Sequence, residues 1–239
     1  KLHPVHNDPN IYVVPHFLTP RELDHFDELI TARRAAFKHS HTDSSSGEQL
    51  VVEERTSISL PLPKALDAVI RAIESRAADL VGLPADHVEP LQVVHYTNGA
   101  RFDMHHDVAP ITLRSEREAD EGASPVPVDG ASGPSGPSGP NGVSQRSSSS
   151  SSSSIPAGEG RLPPRLSAAD VVVEKQEGPK RLVTLFVYLN TLPDGIGHTD
   201  FPLLQADDGQ GRSFSVRPRS GTALVFCNVD EHGEPDPRL

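Results

Sequence analysis

An α+β domain whose strands close into a sandwich or barrel is the fold class this sequence predicts, and three observations predict it. Two helical patterns stand in the first third of the chain, several short apolar runs bounded by Pro and Gly follow them, and the densest cluster of His and Asp lies where the helices give way to the runs. Asn10 to Phe17 (NIYVVPHF) reads as a short strand. Thr19-Pro20-Arg21-Glu22 then starts a helix that runs to about Arg34: Thr is the N-cap, Pro takes the first helical position, and Glu stands three residues after the cap. Leu62, Leu66, Val69, Ile70, Ile73, Ala77 and Leu80 recur at spacings of three and four. That spacing predicts an amphipathic helix over Lys64 to Val81, stopped at Gly82. Such a helix needs a sheet to lie on. Glu89 to Tyr96, Phe102 to Val108, Arg181 to Leu189, Ser213 to Val216 and Thr222 to Asn228 are the strands that would form it.

Composition bounds the rest. From about Ser115 to Arg161 the chain turns to Ser, Gly and Pro, with Ser-Gly-Pro triplets from Ser132 to Pro140 and an unbroken serine run from Ser147 to Ser154. Such a stretch cannot bury a core, so 115–161 is expected to be a disordered insert within one domain of residues 1–239. The chain carries 22 Lys+Arg against 33 Asp+Glu, a formal charge of −11, with no basic run. That balance excludes a phosphate-neutralising surface, and nucleic acid with it. No apolar stretch approaches the roughly 20 residues that cross a bilayer. The single cysteine, Cys227, forms no intrachain disulfide and is expected as an ordinary buried thiol. Compartment is not legible from the residues.

The chemistry concentrates in His95 to Asp107, HYTNGARFDMHHD. If Phe102 to Val108 is a strand, residues two apart share a face, so His105 and Asp107 point together while His106 points away. One imidazole and one carboxylate are two-thirds of the facial triad that holds non-haem Fe(II) with positions left open. The pair Asp103 and His105 satisfies the same geometry, and a solvated polar face is the plain reading of either pair. Spacing alone leaves these readings open.

In their order along the chain, these residues resemble the prolyl 4-hydroxylases of the 2-oxoglutarate- and Fe(II)-dependent dioxygenases. Tyr96, Gly99, Phe102, His105 and Asp107 fall at that family's Tyr-x-x-Gly, aromatic and His-x-Asp spacing. Arg55-Thr56-Ser57 is similar to its Arg-Thr-Ser segment, and the stretch from Ile73-Glu74-Ser75-Arg76 into Leu91 to Tyr96 to its approach to the metal strand. Arg181 to Asn190 is similar to its Arg-x-x-Thr and Tyr-Leu-Asn strand, Gly197 to Pro202 to its Gly-Gly-Glu-Thr-x-Phe-Pro, and Pro218 to Asn228 to its Pro-x-x-Gly-x-Ala-Leu-x-Phe-x-Asn. The likeness covers essentially the whole chain outside the insert.

The resemblance selects His105 and Asp107 as metal ligands, and it implies a double-stranded β-helix (jelly-roll) core with N-terminal packing helices. It implies Fe(II), 2-oxoglutarate and ascorbate as cofactors, with Tyr96 and Tyr188 contacting the 2-oxoglutarate. Molecular oxygen and a proline-containing peptide or protein are the implied partners, and the implied reaction converts peptidyl proline to 4-hydroxyproline with release of succinate and CO2. Iron and co-substrate motifs do not encode the acceptor. The same chemistry on another substrate and a non-catalytic peptide-binding member of the fold are therefore the alternatives. The resemblance is compatible with the endoplasmic reticulum and does not exclude the cytoplasm. Thr184, Val187 and Phe226 are expected in the barrel wall. His198 stands where the family has Glu, and Ile196 where it has the first Gly; His198 is expected as an exposed or hydrogen-bonded loop residue. Gly233-Glu234-Pro235-Asp236 matches a family turn, after which the distal histidine ligand and the 2-oxoglutarate lysine are expected beyond Leu239, with His232 a solvated loop residue.

Overall fold

The computed structural model describes residues 1–40, 42–43, 49–50, 55–109, 111–113, 167–173, 180–206 and 211–239. The Ser/Gly/Pro-rich segment 115–161 lies outside them. The chain opens with an antiparallel hairpin of β1 (His3–Asn7) and β2 (Asn10–Val14). β2 ends at Val14 and not at Phe17, because Pro15 has no N–H to give a ladder and His16 takes a left-handed φ of 56°.

Helix α1 (Pro20–Ala32) begins at the expected cap: the Glu22 N–H donates to Thr19 Oγ1, and the Thr19 N–H donates to the Glu22 carboxylate at 2.8 Å. Glu22 also receives Arg76 at 2.5 Å, which ties α1 to the second helix. The Arg76 hydrogen bond, working against burial, lowers the Glu22 carboxyl from its ordinary 4.5 to about 2. A depressed folded-state value means that this pair's contribution is complete above pH 4.5 and is lost as pH falls through 2. With Arg76 more than a third exposed to solvent, about 1–2 kcal/mol is expected. Glu22→Gln should flatten the acid limb of a stability-versus-pH curve over that window and leave its slope above pH 6 unchanged.

After β3 (Lys38–His39), β4 (Thr42–Asp43), β5 (Gln49–Leu50) and β6 (Ile58–Pro61) comes helix α2 (Ala68–Val81). It starts four residues later than the apolar spacing predicts. Asp67 is the cap, its Oδ1 accepting from the Val69 and Ile70 N–H groups at 2.9 Å, so residues 64–66 form a turn and Leu62 reaches the core from the end of β6. The helix stops at Gly82, φ 73°, as expected.

The later strands are β7 (Gln92–His95), β8 (Ile111–Leu113), β9 (Val171–Val173), β10 (Val183–Val187), β11 (Thr199–Gln205), β12 (Ser213–Val216) and β13 (Ala223–Cys227). Phe102 to Val108 is not a strand: Phe102 makes one isolated bridge to Arg55 and the rest is loop. The central sheet has the order β1-β2-β13-β10, antiparallel throughout, with β3-β6-β7 as a second sheet and β11-β12 as a separate pair. With two α-helices among the described residues and β structure elsewhere, the architecture is α+β.

Strand alternation gives the central sheet two different faces. Val14, Ala223, Val225, Val183, Leu185 and Val187 face the helices, packing with Phe26, Ile70, Ile73 and Ala77. Ile11, Leu224, Phe226 and Tyr188 face the other way and pack with Phe201, Leu204 and Val216 of the β11-β12 pair. Val187 and Phe226 thus line opposite faces of the sheet. Cys227 is exposed, a correction to the buried thiol expected: it is the last residue of β13 and joins neither apolar cluster. Gly221 precedes β13 at φ 75°, where an added Cβ would stand 2.9 Å from the Leu18 carbonyl oxygen. Gly221→Ala should therefore destabilise the fold by roughly 1–3 kcal/mol, through backbone strain and that clash together, read as a lower denaturant midpoint.

Candidate metal centre

His105 and Asp107 come together without the strand that their spacing suggested. The His105 ring nitrogen Nδ1 lies 2.8 Å from the Asp103 carbonyl oxygen, and the Val108 N–H donates to His106 Nδ1 at 3.1 Å. These bonds, each spanning two residues, compete with a ladder and fold 103–109 into a compact loop. Across it, His105 Nε2 faces Asp107 Oδ1 at 3.3 Å. Asp103 is turned to Arg101, whose Nε donates to it at 2.6 Å, so the alternative pair of Asp103 with His105 does not form.

The protonation pattern follows from the partners. A carbonyl oxygen only accepts, so His105 Nδ1 carries a ring proton, and Nε2 is the nitrogen turned to the carboxylate. Between Nε2 and a carboxylate oxygen there is room for one proton or one cation: an Nε2–H donates to Asp107, and a bound metal would take the place of that proton. The spacing suits a cation: two donors at roughly 2.1 Å from one ion, about a right angle apart, are close to 3 Å from each other. Burial alone would raise the Asp107 carboxyl, but hydrogen bonds from His105 and Thr184, with the charge of Arg181, outweigh it and hold the group at about 2. Asp107 is ionised at neutral pH, as a ligand must be. The donor set, one imidazole and one carboxylate, fits a first-row divalent cation such as Fe(II) in chemistry, with two ligands. Among the described residues, no third His, Cys, Asp or Glu joins them.

Around the pair stand residues that fix its orientation. Phe102 stacks on the His105 ring at 3.6 Å and 14°, and the Arg55 guanidinium lies 4.6 Å from the Phe102 centroid. Thr184 Oγ1 donates to Asp107 Oδ2, so Thr184 is not merely a wall residue. His106 does point away. It is 6% exposed and donates from Nε2 to the Asp236 carbonyl at 3.0 Å, and burial pushes its pKa down, which makes it a neutral tie between this loop and the C-terminal turn. Sequence reasoning missed Thr184 and Asn228 as partners of the site. The available signal was the lone polar residue in VTLFV, which strand alternation places on the face of Phe186 and Tyr188.

The two tyrosines are not alike. Tyr96, next after β7, is 40% exposed. Tyr188 is buried, with Thr199 Oγ1 at 2.8 Å and the Val216 carbonyl at 3.3 Å from its hydroxyl, and burial pushes its pKa up to about 12. Its hydroxyl is thus engaged inside the fold, by Thr199 and the Val216 carbonyl. His198 accepts from the Gly195 N–H at 3.1 Å in a loop, and His232 is exposed beside Glu231.

No protein-family model matches the chain. Curated proteins do. Probable prolyl 4-hydroxylase 6 of Arabidopsis thaliana is 34% identical over 96% of this chain and 62% of its own length. Probable prolyl 4-hydroxylase 4 of the same organism is 24% identical over 99% of the chain and 63% of its own length, and probable prolyl 4-hydroxylase 7 is 33% identical over 46% and 36%. The chain thus spans between about a third and two-thirds of the length of these relatives. These relatives are all named prolyl 4-hydroxylases, and that is the family the chain is similar to.

Proposed function

We propose that the chain forms the core of a 2-oxoglutarate- and Fe(II)-dependent dioxygenase that hydroxylates peptidyl proline at C4. In this reaction 2-oxoglutarate, molecular oxygen and the prolyl C–H become succinate, CO2 and 4-hydroxyproline. The observation that carries the reading is His105 Nε2 facing the ionised Asp107 carboxylate at 3.3 Å, a gap suited to a cation. The names of the relatives support prolyl hydroxylation. A jelly-roll core is supported by the β11-β12 pair packed across the central sheet from the helices.

In this reading His105 and Asp107 hold Fe(II), together with a third donor. Iron there supplies the oxidising power that couples decarboxylation of 2-oxoglutarate to hydroxylation, with ascorbate as the reductant that keeps it ferrous. The chain's own residues do the positioning. Asp103 fixes the His105 tautomer, Phe102 fixes the ring plane, and Thr184 takes one oxygen of Asp107. Tyr96, 40% exposed, is assigned the hydrogen bond to a co-substrate carboxylate, with the Tyr188 hydroxyl, now held by Thr199, as the second contact. Phe186, 39% exposed, adds an apolar surface on the Thr184 face of β10. The test is release of CO2 from carboxyl-labelled 2-oxoglutarate with Fe(II), ascorbate and a proline-rich peptide, scored together with a one-oxygen mass gain on proline. Turnover without that gain would transfer the chemistry to another acceptor, and metal binding with no turnover by the full protein would favour the peptide-binding alternative.

A further inference from the structure

Asn228 follows β13 and is 1% exposed. Its side-chain nitrogen donates to two oxygens, the Arg181 carbonyl at 2.8 Å and Thr184 Oγ1 at 2.9 Å. Main-chain bonds clamp the residue: its N–H donates to the Leu182 carbonyl at 2.9 Å, and its own carbonyl accepts from the Asp236 N–H at 3.0 Å. The Arg181 carbonyl only accepts, so turning the amide over would set oxygen against oxygen. Held this way, Asn228 Oδ1 has no hydrogen-bond partner among the described residues. A buried acceptor left unpaired is costly, so the two donor contacts must outweigh it.

The consequence falls on Thr184, whose hydroxyl has a single proton. Because Thr184 Oγ1 receives the Asn228 N–H, that proton is free to go to Asp107 Oδ2, and it does. With Oδ2 occupied, Oδ1 is the oxygen that faces His105 Nε2. We propose that Asn228 is a positioning residue of the metal centre: it sets the direction of the Thr184 hydrogen bond and thereby holds Asp107 as a ligand through one oxygen. The proposal rests on reading His105 and Asp107 as metal ligands.

The experiment measures Mn(II) binding by water-proton relaxation, which reads weak sites without turnover. Asn228→Leu, similar in volume but unable to donate, and Thr184→Val should each weaken Mn(II) binding about 10- to 100-fold, the range for lost outer partners of a metal site. The double variant should be no weaker than the stronger single one, because both changes break the same chain of bonds. Thr184→Ser should bind like the unaltered protein. Should Asn228→Leu fail to fold, Asn228→Ser removes the amide donor with less disturbance of packing. The proposal is overturned if the Asn228 variants bind Mn(II) within about twofold of the unaltered protein while Asp107→Ala does not bind, or if the Asn228 and Thr184 effects multiply. If Asp107→Ala itself retains full binding, the metal-centre reading falls and takes this proposal with it.

Discussion

Asp107→Ala is expected to lower divalent-metal affinity by more than about 100-fold and to abolish 2-oxoglutarate turnover, because it removes one of the two gathered ligands, an effect larger than loss of an outer partner. The cause is electrostatic. The His105 imidazole remains, but the ionised carboxylate that neutralises the cation is gone. His105→Ala should match it. Neither residue belongs to a core cluster, but Asp107 accepts hydrogen bonds from His105 and Thr184, so Asp107→Ala should also lower metal-free stability, by about 1–3 kcal/mol. His106→Ala serves as the contrast: it breaks a buried tie to Asp236 and should lower stability more than it lowers metal affinity. Titration calorimetry with Mn(II), alongside denaturant unfolding, separates the two patterns. Full metal binding by Asp107→Ala would sink the proposed centre.

Ile70→Ala should cost about 2–5 kcal/mol, the range for truncating a fully buried aliphatic side chain. Ile70 is 0% exposed and packs among Phe17, Phe26, Leu62 and Val225, where α2 crosses onto the helix side of the central sheet. The surrounding elements are pinned by strand ladders and by the Glu22–Arg76 pair, so the cavity cannot easily collapse. Urea unfolding would report the loss as a lower midpoint at unchanged slope. A cost under about 1 kcal/mol would mean that α2 does not pack on the sheet as described.

The sequence by itself determined the elements whose signals are local. Thr19, Pro20 and Glu22 specify the start of α1 through a reciprocal pair of hydrogen bonds within four residues, and Gly82 specifies the end of α2 through its left-handed φ. Ser213 to Val216 is a strand with the bounds expected, and β10 and β13 fall inside their expected spans. His105 and Asp107 were legible as a pair because their motif fixes which residues meet, whatever the backbone between them does. The path of that backbone was not legible. Strand periodicity suggested Phe102 to Val108, whereas side-chain bonds to the main chain at Asp103 and Val108 made a loop, a choice that spacing cannot reveal. The tertiary structure alone decided the partners brought from far along the chain: Thr184 on Asp107, Asn228 on Thr184, Asp236 on His106, and the bonds that occupy the Tyr188 hydroxyl. Each depends on which strand lies beside which and on which face a residue presents, and a hydrogen bond between residues 77 or 130 positions apart leaves no periodic trace in the sequence.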